Sequence, residues 1–314
     1  MSTFQSLRIV FMGTPEFAVA SLDALVKAGC NIVGVITAPD KHGGRGMQLQ
    51  QSAVKKYAVE NNLPVLQPEK LKNPDFLTLL KGLNAELQVV VAFRMLPEVV
   101  WNMPLMGTVN LHGSLLPQYR GAAPINWAVI NGETETGVTT FKLKQEIDTG
   151  DILLQESFII AQEDTAGEVH DKMKEIGASL LVKTVKALAD GTLDEVTQSS
   201  VLSTPDLELR HAPKIFTETC LINFAKTVEE VFNLVRGLSP YPAAFTFLSG
   251  KKLKVYSVNK VNKVPLVSPG NFETDGKTFL QFACSNGYIN IMDLQMEGKK
   301  RMKIKDFLRG YRFE

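Results

Sequence analysis

The chain has 314 residues, 45% of them apolar and 21% charged, which is enough material for two packed domains and excludes a disordered or fibrous chain. Its net charge of +1 hides an asymmetry: residues 1–200 carry 17 Lys and Arg against 22 Asp and Glu, whereas residues 201–314 carry 17 against 11. The later part, at +6, suits contact with a polyanion or an ordinary solvated basic surface, and charge alone does not separate the two.

Leu7–Met12 is an apolar, β-branched run ending at Gly13-Thr14-Pro15, and it predicts a strand. Ala18, Leu22 and Leu25 then recur at helical spacing up to Gly29. Ile32–Ile36 reads as the next strand, Ser52–Glu60 as a helix and Pro64–Leu66 as a short strand. Asn73-Pro74 opens another helix, with Asn as cap and Pro at the first helical position. Leu87–Phe93 is a continuous apolar strand of the kind buried on both faces, and Thr108–Leu111 is a further strand. Repeated strand-helix-strand units predict an α/β fold: a doubly wound, mostly parallel sheet.

The pattern then changes. Val138–Leu143 and Asp151–Ile159 are extended runs close enough to pair antiparallel. Thr165 and Glu168 form a capping box at the head of a helix reaching about Ala189, and Gly191 ends it. Residues 192–210 read as a linker. Thr227–Arg236 is helical, with Val228, Val231, Phe232 and Val235 on one face. Four short strands follow, at Phe245–Leu248, Leu253–Val258, Thr278–Ala283 and Tyr288–Leu294, and suggest a small β-barrel or sheet.

Three segments could carry chemistry. In Asn110-Leu111-His112-Gly113-Ser114-Leu115-Leu116-Pro117, Asn110 and His112 alternate in phase at the carboxyl end of a strand, where open α/β sheets bind ligands. An amide donor can hold the oxygen of a tetrahedral intermediate, and a histidine is suited to take or give a proton near neutral pH. Asp148, in Ile147-Asp148-Thr149-Gly150-Asp151, could orient that imidazole, although Asp and Gly are also ordinary turn residues. Thr37–Gln51 is a long connection containing His42-Gly43-Gly44-Arg45-Gly46, where Lys41 and Arg45 could pair with phosphate. The first loop is not a G-x-G-x-x-G, which disfavours a dinucleotide cofactor. Basic runs lie at Lys251-Lys252-Leu253-Lys254 and Lys299-Lys300-Arg301. Lysines alternating with apolar residues on a strand would place charge on one face, able to track a phosphate backbone or simply to face solvent.

Cys30, Cys220 and Cys284 are far apart, and His42, His112, His170 and His211 lack zinc-type spacing, so no metal is expected and a reducing compartment is. With no signal-peptide pattern and no apolar run of membrane-spanning length, a soluble cytoplasmic protein is expected, and a monomer.

Together these segments resemble the folate-dependent formyltransferases over essentially the whole chain. The resemblance rests on Val10–Phe17, Gly44–Gly46, Asn110–Pro117, Arg120–Ile125 and Asp148–Asp151, with Ala212–Ile215, Arg236–Ala243 and Gly298–Met302 in the tail. The Asn-x-His, Ser-Leu-Leu-Pro and Asp-x-Gly set marks the superfamily; the Gly-Arg-Gly loop and the tail motifs resemble the branch that acts on methionyl-tRNA. That resemblance implies 10-formyltetrahydrofolate as formyl donor and initiator methionyl-tRNA as acceptor. Asn110, His112 and Asp148 would be catalytic: Asn110 steadying the oxyanion, His112 handling the proton as base or as electrostatic partner, Asp148 holding His112. Val91, Ala92, Phe93, Arg94, Met95 and Leu96, with Ser114, Leu115, Leu116 and Pro117, would line the folate. Lys41, Arg45, Lys251, Lys252, Lys254, Lys299, Lys300 and Arg301 would meet the tRNA. The implied layout is a Rossmann-like catalytic domain over 1–191, a linker over 192–210 and an OB-like β-barrel over 211–314. An amino sugar nucleotide or glycinamide ribotide as acceptor, or an RNA-binding protein without turnover, are the rival readings.

Overall fold

The structure is a computed structural model that describes residues 3–43, 47–202 and 208–313. Its elements run β1 (Arg8–Gly13), α1 (Glu16–Lys27), β2 (Asn31–Ile36), β3 (Lys41–Gly43), β4 (Gln48–Gln50), α2 (Ala53–Glu60), β5 (Val65–Leu66), α3 (Pro74–Gly82), β6 (Leu87–Val91), α4 (Glu98–Trp101), β7 (Thr108–His112), β8 (Arg120–Gly121) and α5 (Pro124–Ile130). There follow β9 (Glu135–Lys142), β10 (Ile152–Ile159), α6 (Ala166–Asp190), α7 (Gln198–Leu202) and β11 (His211–Ala212). The tail holds α8 (Val228–Gly237), β12 (Ala244–Leu248), β13 (Lys251–Val261), β14 (Phe272–Thr274), β15 (Leu280–Ala283), β16 (Tyr288–Met296), β17 (Met302–Lys303) and α9 (Ile304–Gly310). Two compact units emerge: Met1–Arg120 with Gly137–Phe158 and Asp171–Arg210, and Gly121–Thr136 with Ile159–His170 and His211–Glu314.

The first unit is built on a seven-stranded sheet in the order β10-β9-β7-β6-β1-β2-β5. Strands β1, β2, β5, β6 and β7 pair in parallel, and β9 runs antiparallel to β7. After β5 the chain returns to the other side of β1, so the topological switch falls between β1 and β6, and ligands are expected beyond the carboxyl ends there. Val10 and Met12 point to one face, against Phe76 and Leu80 of α3 and Val100 of α4. Gly177 lets α6 approach β7, since a Cβ there would lie 2.9 Å from Leu111. The expected cap at Asn73 forms, accepting from the Asp75 amide, and Ser52 accepts from the Lys55 amide in the same way. Strand β6 ends at Val91 rather than Phe93, because Ala92 turns into the left-handed region with φ +46°. Within the connection 37–51, β3 and β4 pair as an antiparallel ribbon, an element that sequence reading left as loop.

The second unit carries a curled antiparallel half-barrel in the order β12-β13-β16-β15-β14, with β17 added to β16. Register shifts between Val255 and Val258 bend β13 against β16. Its core gathers Val231, Phe232 and Val235 of α8, Phe307 and Leu308 of α9, and inward residues such as Leu253, Val255, Phe282 and Ile291. The hydrophobic face expected for α8 is buried as the spacing required.

Candidate active site

Asn110 and His112 stand at the carboxyl end of β7. In register, Asn110 lies beside Val90 of β6 and Phe141 of β9, and His112 beside Thr139. Two residues apart on a strand, they share a face of the sheet. Asn110 is half-buried, whereas His112 is buried at 8% exposure.

The imidazole is held from two sides. His112 Nε2 lies 3.0 Å from the backbone carbonyl oxygen of Tyr119. A carbonyl can only accept, so this nitrogen carries the hydrogen. The lone pair of the neutral ring is thereby assigned to Nδ1, which faces Asp148 Oδ2 at 3.8 Å. Phe141 meets the ring edge-on, centroids 6.4 Å apart. The arrangement suits a proton arriving at Nδ1: the cation it creates would face a carboxylate that is itself only 12% exposed.

The segment 113–119 that turns Tyr119 toward His112 is braced by hydroxyls and amides. Thr139 donates to the Ser114 carbonyl at 2.7 Å and accepts from the Leu116 amide at 3.0 Å. Gln155 donates to Leu116 O and to Thr139 Oγ1. Ser114 donates to the Gln118 carbonyl at 2.6 Å, so its hydroxyl is engaged within the turn. Leu116 is buried against Phe141 and Ile152.

Asp148 sits in the connection between β9 and β10 with φ +56°. An Asp tolerates the left-handed region better than most residues, and here the backbone twist aims the carboxylate. Gly150 permits the turn, since a Cβ on it would lie 1.6 Å from the Lys142 carbonyl oxygen. Lys144 pairs with Asp151 at 2.8 Å in the same connection.

The segment after β6 forms a second wall. Val91 and Leu96 are buried, Phe93 is half-buried, and Ala92, Arg94 and Met95 are exposed. Arg94 donates to the backbone carbonyls of Pro68 and Glu69. Arg94, Met95, Leu96 and Pro97 line a cleft of about 480 Å³ together with Lys70, Leu71 and Lys72. Its apolar wall and three cationic side chains are a chemistry suited to an aromatic ligand carrying carboxylates.

Of the residues expected to meet nucleic acid, Arg45 lies outside the described residues. Lys41 is exposed on the β3–β4 ribbon. On β13, Lys252 and Lys254 alternate with the buried Leu253 and Val255, so their stems share one face of the strand. Lys252 Nζ lies 3.8 Å above the Phe245 ring, and Lys254 donates to the Pro242 carbonyl at 3.3 Å. Lys251, Lys299 and Lys300 are exposed. Arg301 is committed within its own unit: its guanidinium forms a fork with the Asp293 carboxylate at 3.0 and 2.8 Å and stacks over Tyr256 at 4.2 Å.

Sequence reasoning missed the carbonyl of Tyr119, the braces Thr139 and Gln155, and Gln198, whose amide reaches the Asp148 connection. None follows a spacing rule, because each contact is made to a backbone carbonyl placed by a turn or by another strand rather than by helix or strand periodicity. Among the described residues, no three His, Cys, Asp or Glu are grouped to hold a metal, and no helix is long and apolar enough to cross a membrane.

A doubly wound sheet with an amide, an imidazole and a carboxylate at its carboxyl edge, followed by a half-barrel unit, defines the class. The family model for formyl transferases matches residues 7–185, and that for the formyl transferase C-terminal domain matches residues 214–312. Among curated proteins, the chain is 53% identical over 312 residues to a methionyl-tRNA formyltransferase of Bacteroides fragilis, covering 98% of this chain and 96% of that protein. It is 55% identical over 314 residues to that of Phocaeicola vulgatus, covering 98% and 97%. Among solved structures, a sugar 3N-formyl transferase in the presence of dTDP and 5-N-formyl-THF aligns with a TM-score of 0.68 at 21% identity, covering 94% of this chain and 99% of that one. HypX from Aquifex aeolicus with tetrahydrofolic acid aligns at 0.64 and 16%, covering 98% of this chain and 48% of that one, and both show the fold. The chain belongs to the methionyl-tRNA formyltransferase family of formyl transferases.

Proposed function

We infer that the protein transfers the formyl group of 10-formyltetrahydrofolate to the α-amino group of methionine carried on initiator tRNA, acting as a monomer in the cytoplasm. The observation that carries the catalytic reading is the convergence of Asn110, His112 and Asp148 at one end of the sheet, with His112 Nδ1 turned toward Asp148 at 3.8 Å. The relatives at about half identity over nearly the whole chain favour the tRNA acceptor over an amino sugar nucleotide.

The folate supplies a formyl carbonyl activated for attack by an amine. Asn110 donates its side-chain amide to the oxygen on which negative charge builds. His112 takes the proton of the attacking amine at Nδ1, while its Nε2–H stays on the Tyr119 carbonyl and keeps the ring from turning. Asp148 stabilises the resulting imidazolium, which returns that proton to the departing folate nitrogen as the bond from that nitrogen to the formyl carbon breaks. The residues present fit the donor: Leu71, Met95, Leu96 and Pro97 offer apolar walls, while Lys70, Lys72 and Arg94 suit its carboxylates. Ser114, Leu115, Leu116 and Pro117 contribute through the shape and backbone of their turn. Lys41, Arg45, Lys251, Lys252, Lys254, Lys299, Lys300 and Arg301 are proposed to approach tRNA phosphates, Arg301 while it also braces β16 through Asp293.

Formyl transfer from 10-formyltetrahydrofolate is to be assayed with methionylated initiator tRNA and with an amino sugar nucleotide as acceptors. Formylation of the tRNA alone is expected. Formylation of the sugar alone would overturn the acceptor assignment, and wild-type turnover in Asn110→Ala, His112→Ala and Asp148→Asn would overturn the site.

A further inference from the structure

We propose that Gln198 is a positioning residue for catalysis, clamping the connection that carries Asp148 so that its carboxylate stays in front of His112 Nδ1. The proposal rests on the function inferred above for the Asn110, His112 and Asp148 site.

Gln198 opens the short helix α7, in a stretch of chain that composition alone marks as a linker. It is 3% exposed. Its side-chain NH₂ donates to two backbone carbonyls of the Asp148 connection, Asp148 O at 2.9 Å and Gly150 O at 2.8 Å. Its own carbonyl oxygen is held by Arg120, through Nε at 3.0 Å and through a terminal guanidinium nitrogen. Both donors and the acceptor of the amide are therefore used, which fixes its orientation. The segment that brings it there is anchored: Val196 and Ile152 exchange two backbone hydrogen bonds at 2.8 and 2.9 Å, so residue 198 lies beside the start of β10.

The consequence concerns geometry at Asp148. That residue is held in the left-handed region at φ +56°, a conformation that costs free energy unless its surroundings enforce it. The same twist sets the direction of the carboxylate. Tying the carbonyls on either side of Thr149 to one rigid amide resists relaxation of the turn. A side chain that drifts by about 1 Å at a reacting centre can cost on the order of 10²-fold in rate. Arg120 belongs to the segment that follows the Tyr119 carbonyl, so the chain fixing Nε2 of His112 and the clamp aligning Asp148 share neighbouring residues.

The experiment compares Gln198→Met and Gln198→Glu in the full-length enzyme, alone and combined with Asp148→Asn. Glu keeps the acceptor for Arg120 and loses both donors, so it separates the tether from the clamp. Both single variants are expected to lower kcat on the order of 10²-fold, with KM for folate and for methionyl-tRNA nearly unchanged and the thermal melt retained. In the Asp148→Asn background, either change is expected to cost no more than about twofold, because the group it positions is already lost. Amide hydrogen exchange at residues 148–151 of the unliganded protein should accelerate in both variants. A Gln198→Glu enzyme with wild-type kcat would overturn the proposal. So would an equal loss in the wild-type and Asp148→Asn backgrounds, or unchanged exchange at 148–151. If wild-type protein formylates neither acceptor, the functional reading falls instead, and the exchange result alone decides whether the clamp exists.

Discussion

At the scale of single residues, the site is a problem in directing one proton. The Tyr119 carbonyl takes the hydrogen of His112 Nε2, which leaves Nδ1 as the basic nitrogen and sets it toward Asp148. Asn110 is proposed to act on a different atom, the developing oxyanion, so its loss should differ from theirs. Asn110→Ala is expected to lower kcat by about 10²–10³-fold, the usual cost of one oxyanion donor. His112→Ala and Asp148→Asn should each lower it by about 10²–10⁴-fold. Steady-state formyl transfer beside circular dichroism melts checks this, with folding expected to survive in all three. Gly150→Ala should behave oppositely. Its Cβ would collide with the Lys142 carbonyl at 1.6 Å, so the turn must move, and both the melt and the activity should fall.

At the scale of elements, local capping does work that can be titrated. Helix α8 begins with a full capping box: Thr227 accepts from the Glu230 amide, and Glu230 accepts from the Thr227 amide at 2.9 Å. Those bonds, the backbone one foremost, and Lys226 hold the Glu230 carboxyl down at about 2. A carboxylate depressed in the folded state stabilises above its unfolded value and loses that contribution as pH falls through the folded value. Stability of the wild type relative to Glu230→Gln should therefore decline between about pH 5 and pH 2 and be flat above, as urea titrations at several pH values would show. Thr227→Ala should cost about 1 kcal/mol at neutral pH in the same assay. Asp293 gives the half-barrel a comparable pin, binding Arg301 and Lys303 across β16 and β17.

At the scale of the molecule, basic charge gathers beyond residue 200, and each unit seals its own core. All three cysteines are buried and free. Burial pushes the Cys30 thiol up to about 11 and the Cys284 thiol up to about 12, and it raises Cys220 as well. A thiol reagent at pH 8 should therefore find no fast-reacting cysteine in the native protein and three in guanidinium. The excess of Lys and Arg beyond residue 200 makes tRNA affinity an electrostatic quantity. Binding should weaken linearly on a log–log scale with salt, and replacing one lysine proposed to contact phosphate, such as Lys251, should reduce the slope by about 0.7–0.9. A filter-binding titration across salt concentrations measures both.

By itself, the sequence determined the alternating strand and helix order, the buried faces of α1 and α8, the caps at Asn73 and Thr165, and the pairing in phase of Asn110 with His112. Each is a local consequence of side-chain periodicity or of a polar group beside free backbone amides, so neighbours in the chain suffice to specify it. Asp148 was legible through resemblance to a family; its turn chemistry alone looked ordinary. The ribbon β3–β4 and the short strands β14 and β17 were not legible, because each is two or three mostly polar residues that exist through a partner, whereas the equally short β5 was readable as an apolar run. Only the tertiary structure decided which nitrogen of His112 is basic, that Arg301 is spent on Asp293, and that Gln198 reaches across fifty residues to the Asp148 turn. Those facts depend on where backbone carbonyls and carboxylates come to rest once turns and sheets have formed, and such hydrogen bonds follow no helix or strand period in the chain.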